Sequence, residues 1–217
     1  MSNNYSKNNK IMVTGADGQL AKALKIYIPK EIDCYYLSKK DLDLSDTESC
    51  FELVKKIRPN WIINCGAYTN VDKAETEYQL AKTINASAPK ALTTALKEIS
   101  GRLIQISTDY VFDGNKGYPY ETFDKKNPLN KYGKSKSEGE ENAMMLDGSI
   151  ILRTSWLYGP IGNNFLLNMI RLHSSKRRLG VISDQISCPT STHSLAKACW
   201  QIILNDIDEK IIHWSDC

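Results

Sequence analysis

Five short apolar runs, each followed by a stretch with helical periodicity, constrain the fold more than any other feature of this chain. In the first helical stretch, for example, Leu20, Leu24 and Tyr27 recur at the three- to four-residue spacing of one helix face. Continuous apolar strands separated by helices are typical of a parallel sheet covered on both faces. The sequence therefore predicts an α/β fold built on a doubly wound parallel sheet. The predicted strands lie at 11–13, 34–37, 61–65, 103–106 and 150–152.

The helical stretches complete this alternation. The longest covers residues 74–99, and we predict two pieces that divide near 85–89, because Pro89 suits the first turn of a helix better than its interior. Another helix is expected to begin at Tyr132, after a loop. The remaining predicted elements are helices at 19–28, 48–57, 163–173 and 194–204, and short strands near Val181 and Ile211.

Composition excludes several classes of protein. The net charge is only +3, and the basic residues are spread along the 217-residue chain, whereas nucleic-acid-binding proteins usually cluster them on one face. No apolar run approaches the roughly 18 residues that span a bilayer. Residues 1–10 are polar and rich in asparagine, so we expect a disordered tail there. We therefore expect neither a nucleic-acid partner nor a membrane.

The cysteines and histidines give no sign of a metal site. The six cysteines show no paired spacing of the kind that binds zinc, and the three histidines lie on unrelated segments. Cys34 and Cys65 fall within predicted buried strands, where a reduced thiol packs as a small apolar group. These features favour a reducing, cytoplasmic environment and no bound metal.

A glycine-containing turn follows the first predicted strand. Gly15 allows a tight turn, and Gly18 would let a pyrophosphate approach the backbone where the next helix begins. Position 21, where a third glycine is usual, is alanine, which is still small enough for close packing. Similar turns also occur without a ligand. The position between a strand and an amphipathic helix favours a dinucleotide site.

The residues after the second strand bear on the choice of cofactor. An acidic residue there binds the ribose 2′-hydroxyl of NAD, whereas a cation accepts the 2′-phosphate of NADP. This chain has Ser38, Lys39 and Lys40 at that point, with Asp43 further on, where it could meet the adenine amino group. The segment is equally compatible with a solvated charged loop. If it contacts the cofactor, it favours NADPH over NADH.

Tyr132 and Lys136 lie four residues apart and would share one face of a helix. A nearby ammonium lowers the pKa of a tyrosine from about 10 towards neutrality, which makes proton transfer useful. Thr108 ends the fourth strand, at the edge of the sheet where ligands bind, so its hydroxyl is expected beside this helix. Spacing alone is not specific. The same pattern recurs at Tyr35/Lys39, Tyr36/Lys40 and Tyr78/Lys82.

Seven segments together resemble the dTDP-4-dehydrorhamnose reductases, a family of extended short-chain dehydrogenases. The resemblance runs from about Ile11 to the C-terminus. It implies a Rossmann fold, NADPH as cofactor with NADH as an alternative, and a dTDP-sugar substrate whose 4-keto group is reduced, giving dTDP-L-rhamnose from dTDP-4-dehydro-6-deoxy-L-mannose. The segments are VTGADGQLAK, DLDLSD, NCGAYTNVDKAE, STDYVFDG, PLNKYGKSKSEGE, RTSWLYG and NNF.

The resemblance also implies roles for individual residues. Tyr132 would donate a proton to the substrate oxygen, Lys136 would stabilise the resulting phenolate, and Thr108 would orient the carbonyl. Gly66 departs from the family, in which alanine is common at this point. Substrate contacts are implied for Val71, Thr108, Asp109 and Trp156. The position of Ser38 and Lys39 just after the second strand adds both to the expected cofactor contacts. The resemblance itself implies cofactor contacts for Gly15, Gly18, Gln19, Leu20, Asp43, Leu44, Gly66, Ala67, Tyr68, Tyr132 and Lys136.

Residues 11–156 are accordingly expected to form the NAD(P)-binding Rossmann domain. Residues 157–217 are expected to be a smaller, incomplete part of the sugar-nucleotide domain, too short to close a substrate pocket. On that expectation the chain binds cofactor, reduces the sugar poorly, and self-associates, with a homodimer as one outcome. Two other functions stay open: a nucleotide-sugar epimerase or dehydratase, and a cofactor-binding regulatory subunit of a methionine adenosyltransferase. The acidic pair typical of dehydratases is absent beside Thr108, since Asp109 is followed by Tyr110.

Overall fold

The structure is a computed structural model that describes residues 9–30, 32–175, 178, 180–181 and 183–216. Its strands are β1 (Lys10–Thr14), β2 (Asp33–Leu37), β3 (Trp61–Asn64), β4 (Arg102–Thr108), β5 (Ser149–Thr154), β6 (Leu157–Tyr158), β7 (Thr190–Ser191) and β8 (Ile211–His213). Within the described residues, β2-β1-β3-β4-β5-β8 form one sheet, and β6 pairs with β7. All of these pairs are parallel. The predicted parallel sheet is confirmed.

The helices lie between these strands, and local signals fix several of their ends. At one helix start the Asp46 side chain accepts a hydrogen bond from the Ser49 amide, and that helix ends at Arg58 in the left-handed conformation. The helices are α1 (Gln19–Ile26), α2 (Thr47–Ile57), α3 (Val71–Ala74), α4 (Tyr78–Lys82), α5 (Ala88–Ile99), α6 (Lys131–Ala143), α7 (Phe165–Ser175) and α8 (Thr192–Leu204).

Two apolar layers cover the faces of the main sheet. Successive strand residues alternate between them, so Ile63 packs into the layer of α1 and α8 while Ile62 packs into the layer of α2 and α5. The indole of Trp200 on α8 also donates a hydrogen bond to the Leu24 carbonyl of α1, at 3.1 Å. Burial on both faces explains why the strands are continuous apolar runs.

The long helical stretch differs from its prediction. The helix is interrupted at 75–77 rather than near 85–89. Near the predicted division the structure has a π-helical turn (Thr83–Ser87), which leads directly into α5. Asn85 in this turn is buried, and its side chain bonds to the Tyr68 backbone and the Ser135 hydroxyl. The π-helical turn directs the Asn85 side-chain amide inward to make these bonds. Apolar periodicity does not reveal a π-helical turn, so the sequence did not predict it.

The C-terminal segment also differs from its prediction. The sequence predicts that residues 157–217 form an incomplete part of the sugar-nucleotide domain, and in the structure α8 of this segment packs against α1 while β8 extends the main sheet beside β5. Val181 lies outside any strand and is exposed, and the short strand of this region is β7. Of the predicted tail, residues 1–8 lie outside the described residues, and Lys10 already belongs to β1. No helix in the described part of the chain is long and apolar enough to span a membrane.

Candidate active site

A cavity of about 980 Å³ lies at the carboxyl ends of β1, β3, β4 and β5. This is the edge of a parallel α/β sheet where ligands bind. Every residue that the sequence assigns to the site lines this cavity except Ser38. The residues brought together are Gly15, Gly18, Gln19, Leu20, Lys39, Asp43, Leu44, Gly66, Ala67, Tyr68, Val71, Thr108, Asp109, Tyr132, Lys136 and Trp156.

The turn after β1 is built for glycine. Gly15 has φ +66°, in the left-handed region that other residues rarely adopt. A Cβ atom on it would lie 2.7 Å from the Gly66 Cα and 2.8 Å from the Gly66 nitrogen. A Cβ atom on Gly66 would in turn meet the Leu44 side chain at 2.5 Å. Two backbone segments therefore meet at the cavity floor, and a side chain at Gly15 would collide with the backbone of Gly66.

Helix α1 begins at this turn and presents its N-terminus to the cavity. The Gly18 amide donates to the Gly15 carbonyl at 2.8 Å, and no described side chain caps the helix at Gly18. The first turn of α1 also lacks acidic residues. Free amides and the positive end of the helix dipole favour an anionic group. The glycine turn and this helix start thus suit the pyrophosphate of a dinucleotide.

A buried chain of polar side chains holds the strand ends in register below the cavity. The Thr14 hydroxyl donates to Asn64 Oδ1 at 2.5 Å, and Asn64 Nδ2 donates to Gln105 Oε1 at 2.8 Å. Thr14 Oγ1 also accepts from the Gly66 amide at 3.1 Å. Because buried polar groups are stable only when paired, this series of hydrogen bonds fixes β1, β3 and β4 relative to one another.

The tip of β2 corrects part of the cofactor prediction. The sequence predicts a tip without a carboxylate, but the Ser38 amide and hydroxyl both donate to Asp41 Oδ2, at 2.9 and 2.6 Å. Ser38 does not line the cavity. Lys39 does line the cavity, and its ammonium lies 3.6 Å from an Asp43 carboxylate oxygen. Of the two lysines at this tip, Lys39 lines the cavity and Lys40 does not.

The loop after β3 is tied to the start of α6. Asn85 Oδ1 accepts from the Tyr68 amide at 2.9 Å, and Asn85 Nδ2 donates to Ser135 Oγ at 2.9 Å. Ser135 in turn donates to the Tyr132 carbonyl. These hydrogen bonds connect the loop at Tyr68 to the start of α6, where Tyr132 lies, and so fix the position of one relative to the other.

Thr108 lies at the end of β4, next to a single 3-10 turn (Asp109–Val111). Its hydroxyl donates to Asp109 Oδ1 at 3.0 Å and accepts from the Tyr110 amide at 3.2 Å. Burial raises the pKa of Asp109, while the hydrogen bond from Thr108 lowers it. The structure therefore places a hydroxyl and a partly desolvated carboxyl together at the cavity wall.

Tyr132 and Lys136 share the face of α6 that lines the cavity. The Lys136 ammonium donates to the Ile106 carbonyl at 2.7 Å, and burial lowers its pKa to about 8. Burial, with a smaller contribution from Asp109, raises the pKa of Tyr132 to about 12 against the lowering effect of the Thr108 hydroxyl. The sequence predicts a Tyr132 pKa lowered towards neutrality. The structure differs because the ammonium is bound to the backbone of β4 and the phenol is desolvated.

The far wall of the cavity comes from the segment that follows β5. Trp156 is 40% exposed, which excludes a core tryptophan, and its indole donates to the Ser187 hydroxyl at 2.9 Å. Sequence reasoning assigned no role to Asn164, whose buried side chain donates to Gln19 Oε1 at 3.2 Å and caps α7. The NNF segment was recognised in the sequence as part of the family resemblance. Asn164 and Gln19 are 145 residues apart, however, and no local sequence pattern indicates their contact.

No three His, Cys, Asp or Glu side chains in the described ranges are grouped so that they could hold a metal ion.

The fold and this site define a dinucleotide-binding protein of the short-chain dehydrogenase type, with Tyr132, Lys136 and Thr108 around one cavity. The family model described as the RmlD substrate binding domain matches residues 9–216. The chain belongs to the dTDP-4-dehydrorhamnose reductase family.

Named relatives support this assignment. The dTDP-4-dehydrorhamnose reductase of Aggregatibacter actinomycetemcomitans is 40% identical over 206 residues, which cover 94% of this chain and 68% of that protein. The Escherichia coli K12 enzyme is 43% identical over 155 residues, which cover 71% of this chain and 52% of its own length. The crystal structure of the Bacillus anthracis reductase in complex with NADP matches with a TM-score of 0.92 and 38% identity, over 97% of this chain and 75% of that one. The chain thus spans about half to two thirds of the length of these curated relatives.

Proposed function

We propose that this protein uses NADPH to reduce the 4-keto group of dTDP-4-dehydro-6-deoxy-L-mannose, forming dTDP-L-rhamnose. The observation that carries the proposal is the meeting of Thr108, Tyr132 and Lys136 in the cavity that also contains the glycine turn at Gly15. A proton donor, a cation and an orienting hydroxyl next to a dinucleotide cradle are what carbonyl reduction requires.

The cofactor would lie along the glycine turn, with its pyrophosphate at the N-terminus of α1. NADPH, when bound, supplies the hydride for the keto carbon. Lys39 supports a preference for NADPH, since it lines the cavity and a cation there can accept the 2′-phosphate. The NADP complex of the Bacillus anthracis relative agrees with this preference. Asp43 beside Lys39 offers an acceptor to the adenosine, so NADH remains the alternative cofactor.

The protein's own groups handle the proton. Tyr132 donates its phenolic proton to the substrate oxygen, where negative charge develops, and the Thr108 hydroxyl hydrogen-bonds the same oxygen and orients it. Lys136, charged below its pKa of about 8, stabilises the phenolate that Tyr132 leaves behind. The high pKa of Tyr132 in this structure keeps the phenol protonated until that charge develops.

The sugar nucleotide would occupy the side of the cavity opposite α1. Trp156 offers a flat apolar face for a deoxysugar ring, and Val71 and Asp109 line the cavity nearby. Trp156 is well placed for this because the ring of Phe165, 5.5 Å away, supports it edge-on.

The proposal is tested by following NADPH oxidation in the presence of dTDP-4-dehydro-6-deoxy-L-mannose. Because the chain spans only part of its relatives, the assay is run on this chain and on a version extended to the relatives' length. Oxidation that depends on the sugar nucleotide in either protein supports the proposal. Tyr132→Phe is the matched inactive variant. NADPH binding without turnover in both proteins would instead indicate a cofactor-binding subunit.

Location and self-association belong to the same proposal. The described cysteines are free thiols, which fits a reducing cytoplasm. On α7 the side chains of Phe165, Leu166 and Ile170 are between 43% and 57% exposed. Exposed apolar surface of this kind favours association of two copies. Light scattering across a range of protein concentrations tests this, and a monomer throughout would contradict it.

A further inference from the structure

A buried ion pair lies one helical turn beyond the proposed catalytic lysine. The carboxylate of Glu140 on α6 accepts two hydrogen bonds from the Arg153 guanidinium on β5, both at 2.9 Å. The two side chains are only 1% and 4% exposed. Ser107 adds a third hydrogen bond to Glu140, at 2.6 Å. This is the bidentate geometry in which a buried carboxylate remains ionised.

The same carboxylate lies on the buried face of α6 that carries Lys136, although the two side chains form no direct ion pair. The two side chains are four residues apart on the buried face of α6, and they bind adjacent residues of β4: Lys136 the Ile106 carbonyl, and Glu140 the Ser107 hydroxyl. Lys136 is 5% exposed, so it has little water to stabilise its charge. A buried ammonium tends to lose its proton unless an anion lies near it.

We propose that Glu140 is a positioning residue that keeps the Lys136 ammonium charged and held against β4. It does so from outside the cavity, since Glu140 does not line it. The inference rests on the proposed function in one respect: the charge of Lys136 matters because Lys136 stabilises the Tyr132 phenolate.

The groups around the two side chains support this role. Burial lowers the pKa of Lys136, whereas the charge of Glu140 raises it, with a smaller contribution from Cys65 at the end of β3. Burial raises the pKa of Glu140, but the hydrogen bonds and charge of Arg153 outweigh this and leave it lowered.

Other charged groups act mainly on the ion pair. The Lys126 ammonium approaches Glu140 at 3.4 Å, and His213 on β8 faces Arg153 at 3.2 Å. On the cavity side Tyr132 and Asp109 are titratable groups that line the same cavity as Lys136. Among the groups that affect the Lys136 pKa, Glu140 therefore supplies the main opposing influence to burial.

The direct test is an NMR titration of protein labelled with ¹³C at the lysine ε carbons, with Lys136→Met to assign the signal. The wild-type signal is expected to titrate near pH 8. Glu140→Gln keeps the size and polarity of the side chain but removes its charge, so the Lys136 pKa should fall by about one unit or more. Glu140→Asp should restore most of it. Glu141→Gln is the matched control on the same helix, and because Glu141 is 67% exposed its loss should shift the pKa by less than about 0.3 unit.

An unchanged Lys136 pKa in folded Glu140→Gln would overturn the proposal. If that variant does not fold, Glu140→Gln combined with Arg153→Met removes the pair together, a change that buried ion pairs tolerate better. The pKa should fall there too, and an unchanged value again contradicts the proposal. In the reductase assay, the high-pH limit of kcat should move to lower pH in Glu140→Gln with KM for NADPH little changed. If the Lys136 pKa falls in Glu140→Gln but the wild-type protein shows no reductase turnover, only the proposed function is refuted. If the wild-type protein turns over but the Lys136 pKa is unchanged in Glu140→Gln, only the role of Glu140 is refuted.

Discussion

Replacement of Gly15 by alanine tests whether the cavity floor depends on two backbone segments in contact. Gly15 has φ +66°, and an added Cβ would lie 2.7 Å from the Gly66 Cα, closer than such atoms approach in proteins. Gly114 provides a matched control, because it has φ +76° but nothing within 4 Å of an added Cβ. Left-handed backbone should cost each variant about 1 kcal/mol. Overpacking should cost Gly15→Ala about 1–3 kcal/mol more.

The two variants are compared by urea unfolding and by calorimetric titration with NADPH. In urea, Gly15→Ala should lose about 1–3 kcal/mol more of its free energy of unfolding than Gly114→Ala, and in thermal unfolding this corresponds to a melting temperature about 2–12 °C lower. It should also abolish NADPH binding, since the turn would separate from the segment at Gly66, whereas Gly114→Ala should bind normally. Equal losses of stability, or normal NADPH binding by Gly15→Ala, would refute the contact as the reason for glycine.

Three further substitutions test the site. Tyr132→Phe should reduce turnover at least about 100-fold with NADPH affinity nearly unchanged, whereas Tyr78→Phe, which has the same spacing to a lysine, should remain active; similar turnover in both would contradict Tyr132 as the proton donor. Lys136→Met should abolish turnover yet raise the free energy of unfolding at pH 7 by about 1–3 kcal/mol, because the folded state binds the lysine proton more weakly than the unfolded state. The cost of burying the protonated lysine is fully present below pH 8 and disappears towards pH 10.5, so the stability advantage of Lys136→Met should vanish near pH 10.5. A Lys136→Met protein less stable than the wild type at pH 7 would refute this explanation. Lys39→Ala should weaken NADPH binding about tenfold relative to NADH, and Lys40→Ala should not, which competitive calorimetry would decide.

The sequence predicts the main sheet well for a physical reason. Parallel strands buried on both faces are rich in apolar residues, and four of the five predicted strands, including those at Ile62 and Ile104, have fully buried apolar residues at their centres. The sixth strand, β8, is different. It has three residues, all only partly buried, and its place beside β5 depends on contacts such as that of His213 with Arg153. Its assignment to the main sheet therefore requires tertiary information.

The site follows a similar division. Glycines, the Tyr132–Lys136 pair and Thr108 were predicted because strand ends and helix faces place them at one edge of the sheet. Contacts between distant segments were not predicted. The bond of Ser38 to Asp41 was not predicted, and the ion pair of Glu140 with Arg153 joins residues with no spacing signal. Such contacts depend on side-chain orientation, which sequence patterns leave undetermined.

The central claim is that the cavity carries out hydride transfer to the 4-keto carbon of a dTDP-sugar. It is tested most directly with NADPH deuterated at C4 of the nicotinamide, on either face, and dTDP-4-dehydro-6-deoxy-L-mannose, followed by mass spectrometry and NMR of the sugar nucleotide. We expect that one of the two labelled cofactors gives dTDP-L-rhamnose with a single deuterium at C4 of the sugar, and that Tyr132→Phe gives almost none. Product without deuterium from both cofactors, or no reduced sugar from this chain and from its extended version, would contradict it.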